Sequence, residues 1–232
     1  MMKKMKFLFV AVLAVAAILS SCSKNENPTS PGGGTTTYYG TFANNSESGG
    51  MTLNFASAPK LSPMSGEVDT NLISVTGSMK VQDGATNALS GTFNKTNDSL
   101  DVSSAGSGGY TFLGKLVSGL FNGDYTGPNG PGSFAAKTST SGSVKVYCGR
   151  YTETSPGTGH GALNIVVDGT SISVLVTGGE GSDVLTGTLS GNNITVTQNG
   201  VQVAQGTLNG NSMSGTYNTG SEQGTWSATL CQ

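Results

Sequence analysis

Histidine, tryptophan and arginine occur once each in this chain of 232 residues, as His160, Trp226 and Arg150. A single histidine leaves a metal site short of ligands and a triad short of its usual base, and no Cys-x-x-Cys, G-x-S-x-G or P-loop pattern takes its place. His160, in the Gly-rich stretch PGTGHG, is accordingly read as a solvated loop residue. Long hydrophobic runs are missing as well. The longest, Phe7 to Leu19, has 13 residues, short of the roughly 20 that a helix needs to cross a bilayer. Charged residues make up only 10% of the chain, and glycine numbers 36, a profile that suggests disorder until the order of the residues is considered. Disorder from low hydrophobicity normally accompanies high net charge, whereas here apolar and polar residues alternate as they do in half-buried strands.

What is present begins with an export signal over residues 1–21, in which Lys3, Lys4 and Lys6 precede the apolar run and small residues follow it. The run ends in Leu19-Ser20-Ser21-Cys22. That tetrapeptide resembles the lipobox of bacterial lipoproteins, in which the cysteine sulfur receives diacylglycerol and the signal is cut away before it. The resemblance implies a covalent lipid on Cys22, no other cofactor, and the membrane as a partner. Acyl chains contributing about 0.8 kcal/mol per buried methylene, two or three to a protein, make a firm anchor without a spanning segment. Ser23 stands where lipoproteins kept in the inner membrane carry aspartate, so the resemblance further implies the outer membrane, facing the periplasm or the cell surface. Residues 22–37 form a lipidated tether, rich in Gly, Pro and polar residues, whose 15 residues after the cysteine have an r.m.s. span of about 22 Å. Without the signal, 8 basic residues face 13 acidic ones, a net charge of about −5 that argues against nucleic acid as a partner.

Beyond the tether the chain repeats itself. At a shift of 92 positions, Gly114-Lys-Leu116 falls on Gly206-Thr-Leu208, Gly123-Asp-Tyr125 on Gly215-Thr-Tyr217, and Gly132-Ser-Phe134 on Gly224-Thr-Trp226. Two copies follow, 38–137 and 145–231, joined by TSTSG. Each reads as all-β, with about eight short alternating strands in an antiparallel meander. Asp168-Gly169, Asn199-Gly200 and Asn209-Gly210 supply dipeptides suited to type I′ hairpins. Lipid takes one of three cysteines, so Cys148 and Cys231 are left to form a disulfide in an oxidising compartment. Cys148 opens copy two and Cys231 closes it, and bonding them makes first and last strands neighbours, as in a small up-and-down barrel. In strand pattern each copy resembles lipocalin-like and avidin-like barrels; a β-sandwich spanning both copies is the alternative.

Candidate sites are few, and no residue is assigned a catalytic role. Gly178 to Thr186 fits a calcium-binding nonapeptide, making Asp183 a metal candidate, but such sites need stacked tandem copies and the next nine residues break the pattern. Arg150 reads as a rim salt bridge or an anion anchor. Tyr125, Phe134, Tyr217 and Trp226 offer ring faces for a ligand, although their recurrence in both copies favours packing. The sequence therefore predicts a non-enzymatic, membrane-anchored lipoprotein that binds or spaces something at the cell envelope, whether a ligand, an envelope protein or a glycan. A carrier of a small apolar ligand or lipid inside a barrel is the first alternative, and a glycan-processing enzyme with a surface carboxylate pair the second. The Cys22→Ala protein is expected to leave the membrane fraction, and mass spectrometry of the mature wild type to find a lipid-modified amino terminus; an unmodified terminus would refute the anchor.

Overall fold

The computed structural model describes residues 35–61, 68–105, 109–178 and 181–231. Cys22 and residues 22–34 of the tether lie outside them. The described residues form sixteen strands and no helix. The first eight are β1 (Thr36–Ala43), β2 (Ser48–Leu61), β3 (Val68–Val81), β4 (Thr86–Asn94), β5 (Ser99–Ser104), β6 (Thr111–Val117), β7 (Leu120–Gly127) and β8 (Gly130–Thr138). The second eight are β9 (Val144–Ser155), β10 (His160–Asp168), β11 (Ser171–Gly178), β12 (Gly181–Ser190), β13 (Asn193–Gln198), β14 (Val201–Asn209), β15 (Ser212–Asn218) and β16 (Gln223–Leu230). Each set is an antiparallel meander closed into a barrel, β1 pairing with β8 and β9 with β16. Two tandem barrels are thus formed, rather than a sandwich, and every strand finds two partners, so neither sheet keeps an edge open to a foreign strand.

Turn chemistry sets the registers. Asn199 and Gly200 are the two central residues between Gln198 and Val201 and both have positive φ, 51° and 81°, the type I′ arrangement expected of them. The other two dipeptides are shifted by one residue. Asp168 pairs with Ser171 and Asn209 with Ser212, which puts Gly169-Thr170 and Gly210-Asn211 in the centre, with positive φ at the glycine. Asp168 and Asn209 are the last residues of their strands, and glycine leads each turn, the preference of type II′.

Inward residues of each barrel make its core, and the outward faces of β1 and β10 to β12 make a second one. Ala43 of the first barrel meets Ala162, Leu175 and Val184 of the second. Beside them Cys148 and Cys231, bonded to each other, pack with Val146 and Val166 on the outer surface of β9, β10 and the chain after β16. Because β10 is covered on both faces, Gly161 through Asp168 are all buried. Within this strand Asn164, 0% exposed, donates through Nδ2 to the Phe42 carbonyl of the first barrel at 2.9 Å, while its Oδ1 accepts from the Gly149 amide at 3.3 Å. A buried amide with both ends bonded fixes one docking position and leaves no polar group unmet.

The join between barrels, residues 139–143, wraps around the Asp168 carboxylate. Its oxygens accept hydrogen bonds from the Thr140 amide at 2.6 Å, the Ser141 amide at 2.9 Å, and the hydroxyls of Ser139, Thr140 and Ser141. Burial alone raises this carboxyl's pKa, but the donors from Ser141 and Thr140 outweigh it and hold the group well below the usual carboxylate range. Unfolded, the group titrates near ~3.9, so the folded chain gains stability from it above that pH and loses it as the pH falls toward the lower folded value. Asp168→Asn is expected to cost on the order of 1–3 kcal/mol at pH 7. In urea titrations its gap from wild type should narrow below about pH 4; a gap that is the same at pH 3 and pH 7 would show that the charge is not what holds the join.

Candidate functional site

Both barrels admit large rings by the same device. An inward glycine lies under a ring from a strand one or two places along the sheet: a Cβ on Gly49 would stand 2.4 Å from Phe42, one on Gly114 2.6 Å from Phe134, and one on Gly132 2.4 Å from Tyr125. In the second barrel the same three positions are Gly161 under Tyr151 at 2.6 Å, Gly206 under Trp226 at 2.4 Å, and Gly224 under Tyr217 at 2.6 Å. The ring occupies the volume that the missing side chain leaves.

What fills the space among these rings differs. In the first barrel Phe112 sits between them, its centroid 5.6 Å from that of Phe42 and 5.5 Å from those of Tyr125 and Phe134. Below lies a second layer in which Phe121 packs on Phe55 and Phe93 at 5.2 and 5.4 Å. At the repeat shift of 92, Phe112 corresponds to Ala204 and Phe121 to Met213. The second barrel consequently contains a cavity of about 200 Å³, walled by Ala204, Leu163, Ile165, Val174, Val176, Val196, Val203, Tyr151, Tyr217 and Trp226. It extends to the end of the barrel where the turns 156–159, 199–200 and 219–222 lie, with Asp183, Gln198, Thr219 and Glu222 around it there.

At the corresponding end of the first barrel a buried carboxylate ties the rings together. Glu47, 5% exposed on the β1–β2 loop, accepts hydrogen bonds from the hydroxyls of Tyr110 at 2.9 Å and Tyr125 at 3.1 Å and from Asn129 Nδ2 at 2.8 Å. Burial, then the Glu47 hydrogen bond and charge, push the Tyr110 phenol up to about 12. For Tyr125 burial and then the Glu47 charge act the same way, more strongly. Tyr217, the counterpart of Tyr125, has a buried hydroxyl with no hydrogen-bond partner among the described residues. Burial first, and then the carboxylates of Glu153 and Glu222, raise it to about 12, so it stays protonated at neutral pH. Glu153, on the strand that carries Tyr151, turns its oxygens to the amides of Gly157 and Gly159 at 2.9 and 3.0 Å.

The four ring residues expected to touch a ligand therefore divide. Tyr217 and Trp226 line the cavity. Tyr125 and Phe134 are 1% exposed inside a packed core, where Phe112 leaves them no free face. Trp226 presents its ring alone, since its Nε1 donates to the Thr216 carbonyl at 3.3 Å. Asp183 Oδ2 accepts from Gln198 Nε2 at 3.1 Å; Gly179 and Glu180 of the nonapeptide lie outside the described residues. No cluster of three or more metal-ligating side chains occurs among the described residues. His160 is exposed at the start of β10. The Arg150 guanidinium donates to the Asn45 carbonyl of the first barrel at 3.0 Å.

Sequence reasoning overlooked Ala204 and Glu47. Extending the gap-free match two residues upstream of Gly114 would have exposed the Phe112 to Ala204 change. Glu47 carries no local signal, because its partners lie 63 to 82 residues away. No family model matches this chain, and no curated protein matches it in sequence.

Reciprocal substitutions test the contrast between the interiors. Phe112→Ala should cost the full chain about 3–5 kcal/mol in urea unfolding. Ala204→Phe should leave stability equal or higher, because its ring enters existing space. Comparable losses from both would mean that the second barrel is as tightly filled as the first.

Proposed function

We propose that this chain is an exported, lipid-anchored binding protein of the outer membrane whose second barrel holds a small apolar ligand, the first barrel serving as a rigid support. The anchor half of this reading is supported by the export signal and by Leu19-Ser20-Ser21-Cys22. The binding half rests on one observation: duplicated barrels share their ring-over-glycine frame, yet one is packed with phenylalanine and the other has alanine at the same place and an apolar cavity around it.

Size narrows the occupant. An apolar cavity of about 150 Å³ accommodates benzene, and one of about 200 Å³ suits a single ring with a short substituent. A membrane lipid with long acyl chains is too large, which favours a small-molecule carrier or sensor over a lipid carrier. Water gains little from the walls, where aliphatic side chains and ring faces predominate, so an apolar guest displaces it at small cost.

Trp226 reports occupancy, being the only tryptophan. Titration of the folded, signal-free chain with small aromatic compounds should change its fluorescence saturably, and Ala204→Phe should weaken binding at least tenfold. Saturable binding that is equally strong in Ala204→Phe would place the site elsewhere.

A further inference from the structure

Resting on the cavity reading just given, we infer that the ligand is a small apolar amine, a ring or short hydrocarbon body carrying one protonated nitrogen. The orientation follows from how the cavity changes along its length. Its deep part is walled by Trp226, Ile165, Val174 and Ala204, which suit the hydrocarbon. Its outer part meets Asp183 and Glu222, and no lysine or arginine is among the residues that line it. A carboxylate-bearing guest would bring like charge to that exposed rim, whereas an ammonium meets opposite charge there.

The internal repeat supplies the second reason. In the first barrel the tyrosine hydroxyl at this place is answered from within the chain, by Glu47; in the second, Tyr217 keeps the hydroxyl and no side chain among the described residues answers it. A buried hydroxyl without a partner is costly, and the oxygen of this one can accept a hydrogen bond from a guest ammonium. The ring of Tyr217 packs edge-on against that of Tyr151, centroids 5.8 Å apart, so two aromatic faces stand near the same end and add cation–π attraction for a nitrogen held there. A neutral alcohol of equal shape can pair with the same hydroxyl but gains nothing from the rim carboxylates or from cation–π attraction.

The test compares guests of one skeleton, 2-phenylethylamine, 2-phenylethanol and phenylacetate, by Trp226 fluorescence at pH 7. The amine should bind at least tenfold more tightly than the alcohol, and phenylacetate most weakly. The preference should shrink with rising salt, and in the Asp183→Asn/Glu222→Gln protein amine and alcohol should bind within about twofold of each other. Both substitutions fall at the solvent-exposed end of the barrel and preserve side-chain size. Equal binding of amine and alcohol by the wild type overturns the assignment of charge while sparing the cavity. Failure of all three to bind overturns both.

Discussion

Closure of each sheet on itself is the constraint from which the rest follows. With β1 hydrogen-bonded to β8 and β9 to β16, eight strands enclose an interior whose width is set by backbone pairing and not by side chains. The two barrels have the same strand number and the same glycines beneath the same rings, so they enclose similar space. A shorter side chain pointing inward then leaves a void, because the wall cannot collapse onto it without breaking ladder hydrogen bonds. In an open sheet the same loss would be absorbed by sliding. Closure therefore turns inward differences such as Phe112 against Ala204 and Phe121 against Met213 into a difference between a packed barrel and one with a cavity.

Closure also explains where the second core lies. A barrel buries one face of every strand, and the opposite face of β10 remains available. Its sequence, HGALNIVVD, places Ala162, Asn164 and Val166 outward and Leu163, Ile165 and Val167 inward. The outward set is small and apolar apart from Asn164, whose amide bridges the Phe42 carbonyl and the Gly149 amide. One hydrogen-bonded amide in an otherwise apolar seam contributes little net stability but heavily penalises any other docking angle. The support role proposed for the first barrel depends on that fixed seam. A freely swinging neighbour would not hold the mouth of the second in one orientation.

Much of this architecture was legible in the residues, and the illegible parts share a cause. Alternation of Ile172, Val174 and Val176 marked an inward face, the Asn199-Gly200 turn marked a hairpin, and the positions of Cys148 and Cys231 at the ends of copy two marked closure. Each is a local signal or a simple count. The turns at Gly169 and Gly210 were placed one residue early because Asp-Gly and Asn-Gly suit a type I′ centre equally well, and only cross-strand register decides. The seam was invisible, since Ala43, Ala162 and Leu175 look like ordinary strand residues until a second barrel covers them. Tyr125 and Phe134 shared the same motif as Tyr217 and Trp226, and no rule of spacing could say which pair faces a void. That depends on Phe112, a residue outside the motif.

The placement of the disulfide bears on why a hollow barrel persists. An enclosed void of about 200 Å³ would cost at most about 5 kcal/mol at roughly 24 cal/mol per Å³, and a cavity that opens at the end of the barrel costs less because solvent can enter it. The crosslink between Cys148 and Cys231 closes a loop of sequence separation 83, which on the chain-entropy model contributes about 4.5 kcal/mol at most. Both upper bounds belong to the same barrel, and the crosslink is large enough to offset the cavity. Residues 38–137 contain no cysteine at all, and the barrel they build is stabilised by interlocked rings and by Glu47. The two barrels thus differ in their sources of stability: the first has interlocked rings throughout its interior, and the second has a smaller apolar core together with a covalent bond outside its wall. Since the bond lies on the seam side and the cavity opens at the end of the barrel, neither occupies volume the other requires.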